Sequence, residues 1–103
     1  MITRYRIENG VLKDYPRREK KLVLPRGITS LQSLTFDNNK AVKFIELSED
    51  ILSIDDFSIF NCPELQGIAI SSSVAMIEEM AVWDCPKLLS IEVEENNPFY
   101  YTR

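Results

Sequence analysis

Residues 45–67 read IELSEDILSIDDFSIFNCPELQG, and residues 68–90 read IAISSSVAMIEEMAVWDCPKLLS. When the two segments are aligned, apolar positions fall on apolar positions, and the Cys-Pro-x-Leu phrase that begins at Cys62 recurs at Cys85. A repeat with a fixed period of about 20–50 residues is typical of a solenoid, in which each coil packs only on its neighbours. The sequence therefore predicts a stack of 23-residue coils.

The 23-residue register extends beyond this pair in both directions. The apolar pattern of residues 45–47 occurs one period earlier at 22–24 and two periods later at 91–93. The first repeat is degenerate, as expected of a terminal coil. We therefore predict one domain over the whole chain, with these parts: a hairpin cap and basic loop (1–21), three full repeats (22–44, 45–67 and 68–90), and a partial repeat or C-terminal cap (91–103).

Each repeat combines two apolar spacings. Ile68 and Ile70 alternate with other residues, as they would in a strand with one buried face. Ile51, Ile54 and Phe57 are spaced by three, which suits a turn followed by a short helical or 3₁₀ segment. The predicted fold class is an α/β-type repeat solenoid, with a parallel sheet on one side and short helical returns on the other.

The N-terminal residues have the pattern of a β-hairpin. Two short strand-like segments flank Asn9-Gly10, and this dipeptide supplies the two positive φ angles of a type I′ turn. A two-residue turn places Ile7 opposite Leu12 on one face. Residues 16–21 follow with the sequence PRREKK, whose proline and like charges predict an irregular loop.

Charge is distributed unevenly along the 103 residues. Residues 1–26 hold eight Lys or Arg and three acids, a net charge of +5, whereas the remaining chain holds four Lys or Arg and thirteen acids, a net charge of −9. This asymmetry favours a charged partner or two mutually attractive ends, although an uneven solvated surface explains it equally well.

Several classes of protein fit the sequence poorly. Histidine is absent, no apolar run approaches the roughly 20 residues of a membrane span, and the N-terminus has no apolar signal-peptide core. We therefore expect a cytoplasmic location for this chain as written, or a surface or secreted location if it is a fragment. No catalytic set, nucleotide loop or metal motif is present, which predicts a protein without enzymatic activity or cofactors.

The repeated phrase I-x-I-x-x-x-[VI]-x-x-I-[DE]-[DE]-x-x-x-x-[ND]-C-P-x-L resembles the BspA-type leucine-rich repeat, which occurs in many bacterial and protist proteins. The flanking segments 7–12 and 93–100 are also similar to those of such proteins. The resemblance implies a right-handed solenoid with a concave parallel sheet, often displayed on cell surfaces and used for protein binding or adhesion. It also implies that Asn39, at the cysteine position of the first repeat, is an accepted variant.

Two groups of residues have alternative interpretations. Cys62 and Cys85 occupy one column of the stack and could be buried thiols, a disulfide or metal ligands. The acidic pairs Asp55-Asp56 and Glu78-Glu79 could bind Ca²⁺ or act as an acid–base pair. More simply, these carboxylates could begin the helical returns, where negative charge stabilises a helix N-terminus.

The outward positions of the concave strands form the main binding hypothesis. Their small residues and acidic edges fit a basic or neutral segment of an unknown protein partner, whereas acidity disfavours nucleic acid. The predicted protein-binding residues are Phe44, Glu46, Ser48, Ala69, Ser71, Glu92 and Glu94.

A second hypothesis is homo-oligomerisation. The basic beginning and the acidic, aromatic end of the chain could attract each other between copies, and such a head-to-tail contact would produce filaments or rings. The predicted self-association residues are Arg17, Arg18, Phe99 and Tyr100. Alternatively, the terminal aromatic residues could fold over the last coil as a cap.

Overall fold

The computed structural model describes residues 5–100, and every regular element within this range is a β-strand. In chain order the strands are β1 (Arg6–Glu8), β2 (Val11–Asp14), β3 (Lys21–Val23), β4 (Ser30–Leu31), β5 (Phe36–Asp37), β6 (Phe44–Glu46), β7 (Ser53–Ile54), β8 (Ile59–Phe60), β9 (Gly67–Ile70), β10 (Met76–Ile77), β11 (Val82–Trp83) and β12 (Ser90–Val93).

The strands form three sheets, one along each side of the coil. The first sheet has the order β3-β6-β9-β12, the second β1-β2-β4-β7-β10, and the third β5-β8-β11. All pairings except β1 with β2 are parallel. Leu22, Ile45, Ile68 and Ile91 are successive partners across the first sheet, 23 residues apart. The predicted repeat stack is therefore confirmed.

Apolar side chains from the three sheets fill the interior of the coils. Leu22 of the first sheet, Ile54 of the second and Ile59 of the third are each at most 2% exposed. Burying one such side chain contributes about 1.5–3 kcal/mol. Because equivalent residues lie one coil apart, about 4.8 Å, each one packs on its own counterpart, and this stacking explains the apolar columns of the sequence.

The predicted helical returns are wrong. Their place is taken by short strands joined at turns, where Leu34 (φ 63°) and Phe57 (φ 59°) have left-handed backbone conformations that a right-handed helix excludes. Backbone N–H groups here donate to the adjacent coil instead of within their own segment. The Leu34 N–H, for example, reaches the Phe57 carbonyl at 2.7 Å. The three-residue spacing thus reflects changes of direction at corners, where each new strand again points an apolar residue inward.

The predicted N-terminal hairpin is present. Strands β1 and β2 pair antiparallel across Asn9 (φ 51°) and Gly10 (φ 79°), and Ile7 lies opposite Leu12. A Cβ atom at Gly10 would lie 2.3 Å from the Thr29 hydroxyl oxygen, so this position needs glycine for space as well as conformation. Because β2 also pairs with β4, the hairpin extends the edge of the second sheet.

A buried asparagine satisfies backbone groups at the first coil. The Asn39 amide donates to the Tyr15 hydroxyl and to the Arg17 carbonyl, both at 3.2 Å. Its carbonyl oxygen accepts the N–H groups of Ala41 at 2.8 Å and Val42 at 3.0 Å. Asn39 therefore makes four hydrogen bonds at the column position where later coils have cysteine.

A second buried asparagine performs the same task after the last strand. The Asn97 amide donates to the carbonyls of Ser71 at 2.9 Å and Val74 at 3.0 Å, one coil earlier. Its carbonyl oxygen accepts the N–H groups of Phe99 at 2.7 Å and Tyr100 at 2.9 Å. This residue joins the C-terminal segment to the final complete coil.

Candidate functional site

The outward side of the first sheet carries a shallow depression of about 420 Å³. Strand alternation sends every second side chain of β3, β6, β9 and β12 away from the core. We call the resulting surface the first-sheet face. The outward residues of its strands that line the depression are Lys21, Phe44, Glu46, Gly67, Ala69, Ser90 and Glu92.

An aromatic ring lies over the glycine at the middle of this face. A Cβ atom on Gly67 would come within 3.1 Å of Phe44 Cδ1, closer than an ordinary van der Waals contact. The Phe44 side chain fills this space and still remains 46% exposed. The missing side chain at Gly67 thus creates an apolar floor with an accessible ring beside it.

Carboxylates give the face its charge. Glu46 and Glu92 are both exposed and lie on outward positions of β6 and β12. Lys21 Nζ lies 3.9 Å from Glu46 Oε1, but both side chains are largely exposed, so this ion pair contributes little to stability. The depression therefore combines an apolar floor with carboxylates at its edges.

Comparison with known proteins identifies the repeat. Residues 7–101 match the family model described as "BspA type Leucine rich repeat region (6 copies)". The chain belongs to this family. BspA-type repeats are leucine-rich repeats, and leucine-rich-repeat proteins are generally non-enzymatic modules for protein interaction or adhesion. No curated protein sequence matches the chain.

A solved structure is similar to this BspA-type chain. It is a leucine rich cell surface protein from Faecalibacterium prausnitzii, with 20% sequence identity and a TM-score of 0.46. The match covers 82% of this chain and 35% of that protein, so this chain spans about a third of its length. Within residues 5–100 there is no helix of the length and apolarity that a membrane crossing requires.

The predicted protein-binding residues of this BspA-type repeat fall into two groups. Ser71 is only 1% exposed, and its hydroxyl lies 2.9 Å from the Ser73 hydroxyl, so the expectation that it points outward is wrong. Ser48 is half-buried and donates to the Pro25 carbonyl at 2.7 Å. Both serines follow a strand, where the chain turns and the alternation of β-structure ends. The other predicted residues are on the surface, with Ala69 half-buried: Phe44, Glu46, Ala69, Glu92 and Glu94.

The predicted self-association residues lie against the first and last coils. Arg18 and Phe99 are exposed, the latter by 62%. The Arg17 guanidinium stacks 4.6 Å from the Tyr15 ring centre. The Tyr100 hydroxyl accepts a backbone N–H of β10 at 3.0 Å and the ring packs against the core, so Tyr100 covers part of the last coil.

Both cysteines of the repeat motif are free thiols. Cys62 is buried, and burial raises the pKa of its thiol to about 11. Cys85 is half-buried, and its pKa is raised for the same reason. Because the thiolate is the form that attacks electrophiles and binds metals, neither cysteine is prepared for such chemistry.

The acidic pairs lie in turns, so the interpretation that they begin helices is wrong. Asp56 Oδ1 accepts the Met80 N–H at 2.9 Å, which links one turn to the next coil. Within the described residues 5–100, no group of three or more His, Cys, Asp or Glu residues is placed to hold a metal ion.

An apolar surface on the third sheet and the turns before its strands was not predicted from the sequence. We call this surface the aromatic face. Its residues are the exposed Leu34, Met80 and Trp83 and the half-buried Phe57 and Phe60. The sequence does indicate this surface, because the paired strands hold two adjacent large apolar residues each, Ile59-Phe60 and Val82-Trp83. In a strand, two adjacent large apolar residues point to opposite sides, so one of each pair must lie outside.

Proposed function

We propose that this chain is a non-enzymatic protein-interaction module that binds an extended segment of a partner protein across the first-sheet face. The observation that carries the proposal is the exposed Phe44 ring over Gly67, beside the column in which Ala69 lies between Glu46 and Glu92. Exposed aromatic rings are frequent anchors of protein interfaces, because they bury much apolar area with few rotatable bonds.

The shape and charge of the face favour a particular kind of segment. The small side chains of Gly67 and Ala69 leave room for a partner backbone to approach the sheet. An apolar partner side chain can pack on Phe44, while Glu46 and Glu92 favour neutral or basic neighbours. The partner chemistry that fits is therefore an apolar residue flanked by Lys or Arg in an extended segment.

Site-specific cross-linking tests where a partner binds. A photoreactive amino acid is placed at Val23, which is 51% exposed on an outward position of the first sheet, or at Leu52, which is 56% exposed and directly precedes β7 of the second sheet. Both variants are irradiated in extract of the native host, and the products are identified by mass spectrometry. We expect a specific cross-linked protein from the Val23 variant alone.

Charge reversal then tests the chemistry of the face. The double substitution Glu46→Lys with Glu92→Lys should abolish binding of the protein captured at Val23, without lowering the unfolding midpoint. Glu95→Lys is a single-site control, to be compared also with Glu46→Lys alone, since Glu95 is an exposed acid outside the depression. Equal capture of the partner by the unmodified chain, the double variant and Glu95→Lys would place the binding site elsewhere and refute the proposal.

Head-to-tail self-assembly is a second candidate, favoured by the apolar surface of the last coil. Leu89 is 85% exposed and Ile91 44% exposed, and Ile91 lines a depression together with Val82 and Leu88. The basic N-terminal residues of another copy would complement the acidic residues around this surface. Such a contact uses different patches on the two copies and so leads to filaments or rings.

Light scattering at low and high salt tests this second candidate. Self-assembly predicts that the mass grows with protein concentration, that added salt reduces it, and that Ile91→Asp or Arg18→Glu suppresses it. A monomeric mass at every concentration and salt level would eliminate head-to-tail assembly and leave the first proposal intact.

A further inference from the structure

The third sheet presents large apolar side chains on its outer side at two consecutive coils. Phe36 and Ile59 point inward and are fully buried, so their neighbours Asp37 and Phe60 point outward. In the next coil Trp83 is the partner of Phe60 and is 50% exposed. The exposed Trp83 and the half-buried Phe60 are thus neighbours on the outer side of this sheet.

Ring contacts hold this aromatic face together. The Phe57 ring centre lies 5.8 Å from that of Phe60 and 6.3 Å from that of Trp83, both in edge-to-face geometry. Leu34 in the preceding coil donates its backbone N–H to the Phe57 carbonyl, and the Phe57 N–H donates to the Met80 carbonyl in the next coil. Leu34 is 54% exposed and Met80 is 40% exposed. These contacts fix the position of the rings, of which Trp83 is exposed and Phe57 and Phe60 are half-buried.

The charge of the aromatic face has one sign. Residues 32–38, 55–61 and 78–84 follow one another in adjacent coils and contain no Lys or Arg. One carboxylate oxygen of Asp37 is buried without a hydrogen-bond partner. The six acids in these segments are Asp37, Asp55, Asp56, Glu78, Glu79 and Asp84.

We propose that the aromatic face is a second docking site, specific for a Lys- or Arg-rich segment of a partner polypeptide. Guanidinium or ammonium groups can stack on the rings of Trp83 and Phe57 while they pair with the surrounding carboxylates. Negative charge repels nucleic acid and anionic lipid. Two copies facing each other through this surface would also bring like charges together. The proposal is independent of the first-sheet face.

The unique tryptophan provides a direct measurement. Trp83 is the only tryptophan of the chain and lies on the aromatic face, although it also lines the depression of the last coil, so its fluorescence reports binding beside this ring. The probe is a peptide of alternating arginine and serine, compared with a glutamate–serine peptide of equal length. We expect a saturable change of Trp83 emission with the arginine peptide, weaker binding at higher salt, and no saturable change with the acidic peptide.

Paired variants separate this site from the first-sheet face. Reversing two exposed charges by Glu78→Lys with Glu79→Lys should weaken binding of the arginine peptide about tenfold. The control Glu46→Lys with Glu92→Lys changes the same number of charges on the other face and should leave the affinity within about twofold. If the first double variant fails to unfold cooperatively, Asp84→Asn replaces it, with an expected loss of about threefold.

Three results would overturn the proposal. Equal weakening by both double variants would mean that net charge alone attracts the peptide. A Trp83 response to a neutral oligosaccharide but not to the arginine peptide would assign the rings to sugar stacking. A concentration-dependent Trp83 shift without peptide, accompanied by dimer mass in light scattering, would assign the face to another copy of the chain.

Discussion

Replacing Asn97 tests whether the buried asparagines hold the ends of the stack. Asn97→Ala removes four hydrogen bonds: two carbonyls, of Ser71 and Val74, lose their donor, and the N–H groups of Phe99 and Tyr100 lose their acceptor. Each such bond contributes about 0.5–1.5 kcal/mol net. Because water can reach some of the freed groups at the end of the stack, we expect a loss of about 2–4 kcal/mol.

Urea unfolding measures this loss. Small domains unfold with slopes of about 1–3 kcal/mol/M, so the midpoint should fall by about 2 M. Trp83 fluorescence reports the last coil, and far-UV circular dichroism reports all strands. Loss of the end contacts should lower the Trp83 midpoint at least as much as the dichroism midpoint, because terminal coils of repeat proteins can unfold separately.

Two further variants make the result specific. Asn96→Ala changes an exposed neighbour and should alter stability by less than about 0.5 kcal/mol. Asn39→Ala should lower the free energy of unfolding about as much as Asn97→Ala. Asn39→Cys introduces the residue of the later coils, where the Cys62 thiol donates to the Phe36 carbonyl at 3.7 Å. This variant should therefore lose less stability than Asn39→Ala. Equal midpoints for Asn96→Ala and Asn97→Ala would refute the reasoning.

Three other predictions concern single side chains. Burial raises the pKa of the Cys62 thiol to about 11, whereas an unfolded thiol has a pKa of 9.0. The free energy of unfolding should therefore fall as the pH rises between these values. Urea unfolding of Cys62→Ala over the same pH range should show a shallower fall. Gly67→Ala should displace Phe44 and weaken binding at the first-sheet face with little change in melting temperature, as measured with the captured partner. The Arg26 guanidinium lowers the pKa of Asp50, so NMR titration of Arg26→Gln should show that pKa moving up.

Much of the fold was predictable because it follows from local periodicity. The 23-residue spacing set the register of Ile45 and Ile68, and strand alternation correctly placed Ile70 inside. Asn9-Gly10 predicted the hairpin, because few other dipeptides adopt two positive φ angles. In each case one short-range rule decides the structure, and no competing interaction opposes it.

Other features depended on contacts that periodicity does not encode. A three-residue apolar spacing suits both a helical turn and a corner between strands, and Phe57 adopts the corner conformation because its N–H bonds to the Met80 carbonyl of the next coil at 2.8 Å. Ser71 has a polar side chain at an apparently outward position, yet Asn97 and Ser73 surround it. Such inter-coil hydrogen bonds become visible only when coils are placed side by side.

The dimensions of the stack restrict how either face can bind. Four strands about 4.8 Å apart span about 14 Å, and a four-residue strand is about 13 Å long, so the first-sheet face offers roughly 180 Å². A stable protein interface uses about 800 Å² on each partner. The first-sheet face therefore suits an extended segment of a few residues instead of a flat protein surface.

A partner that needs more area must reach a second face of the same coils. The aromatic face is the natural extension, because both faces are acidic and each presents one exposed ring system, centred on Phe44 and on Trp83. If one partner covers both faces, charge reversal at Glu46 and at Glu78 should each weaken its binding, with effects that add because the sites share no contacts. If two partners bind separately, each substitution should affect only one. Measuring both variants with the partner captured at the first-sheet face distinguishes the two arrangements.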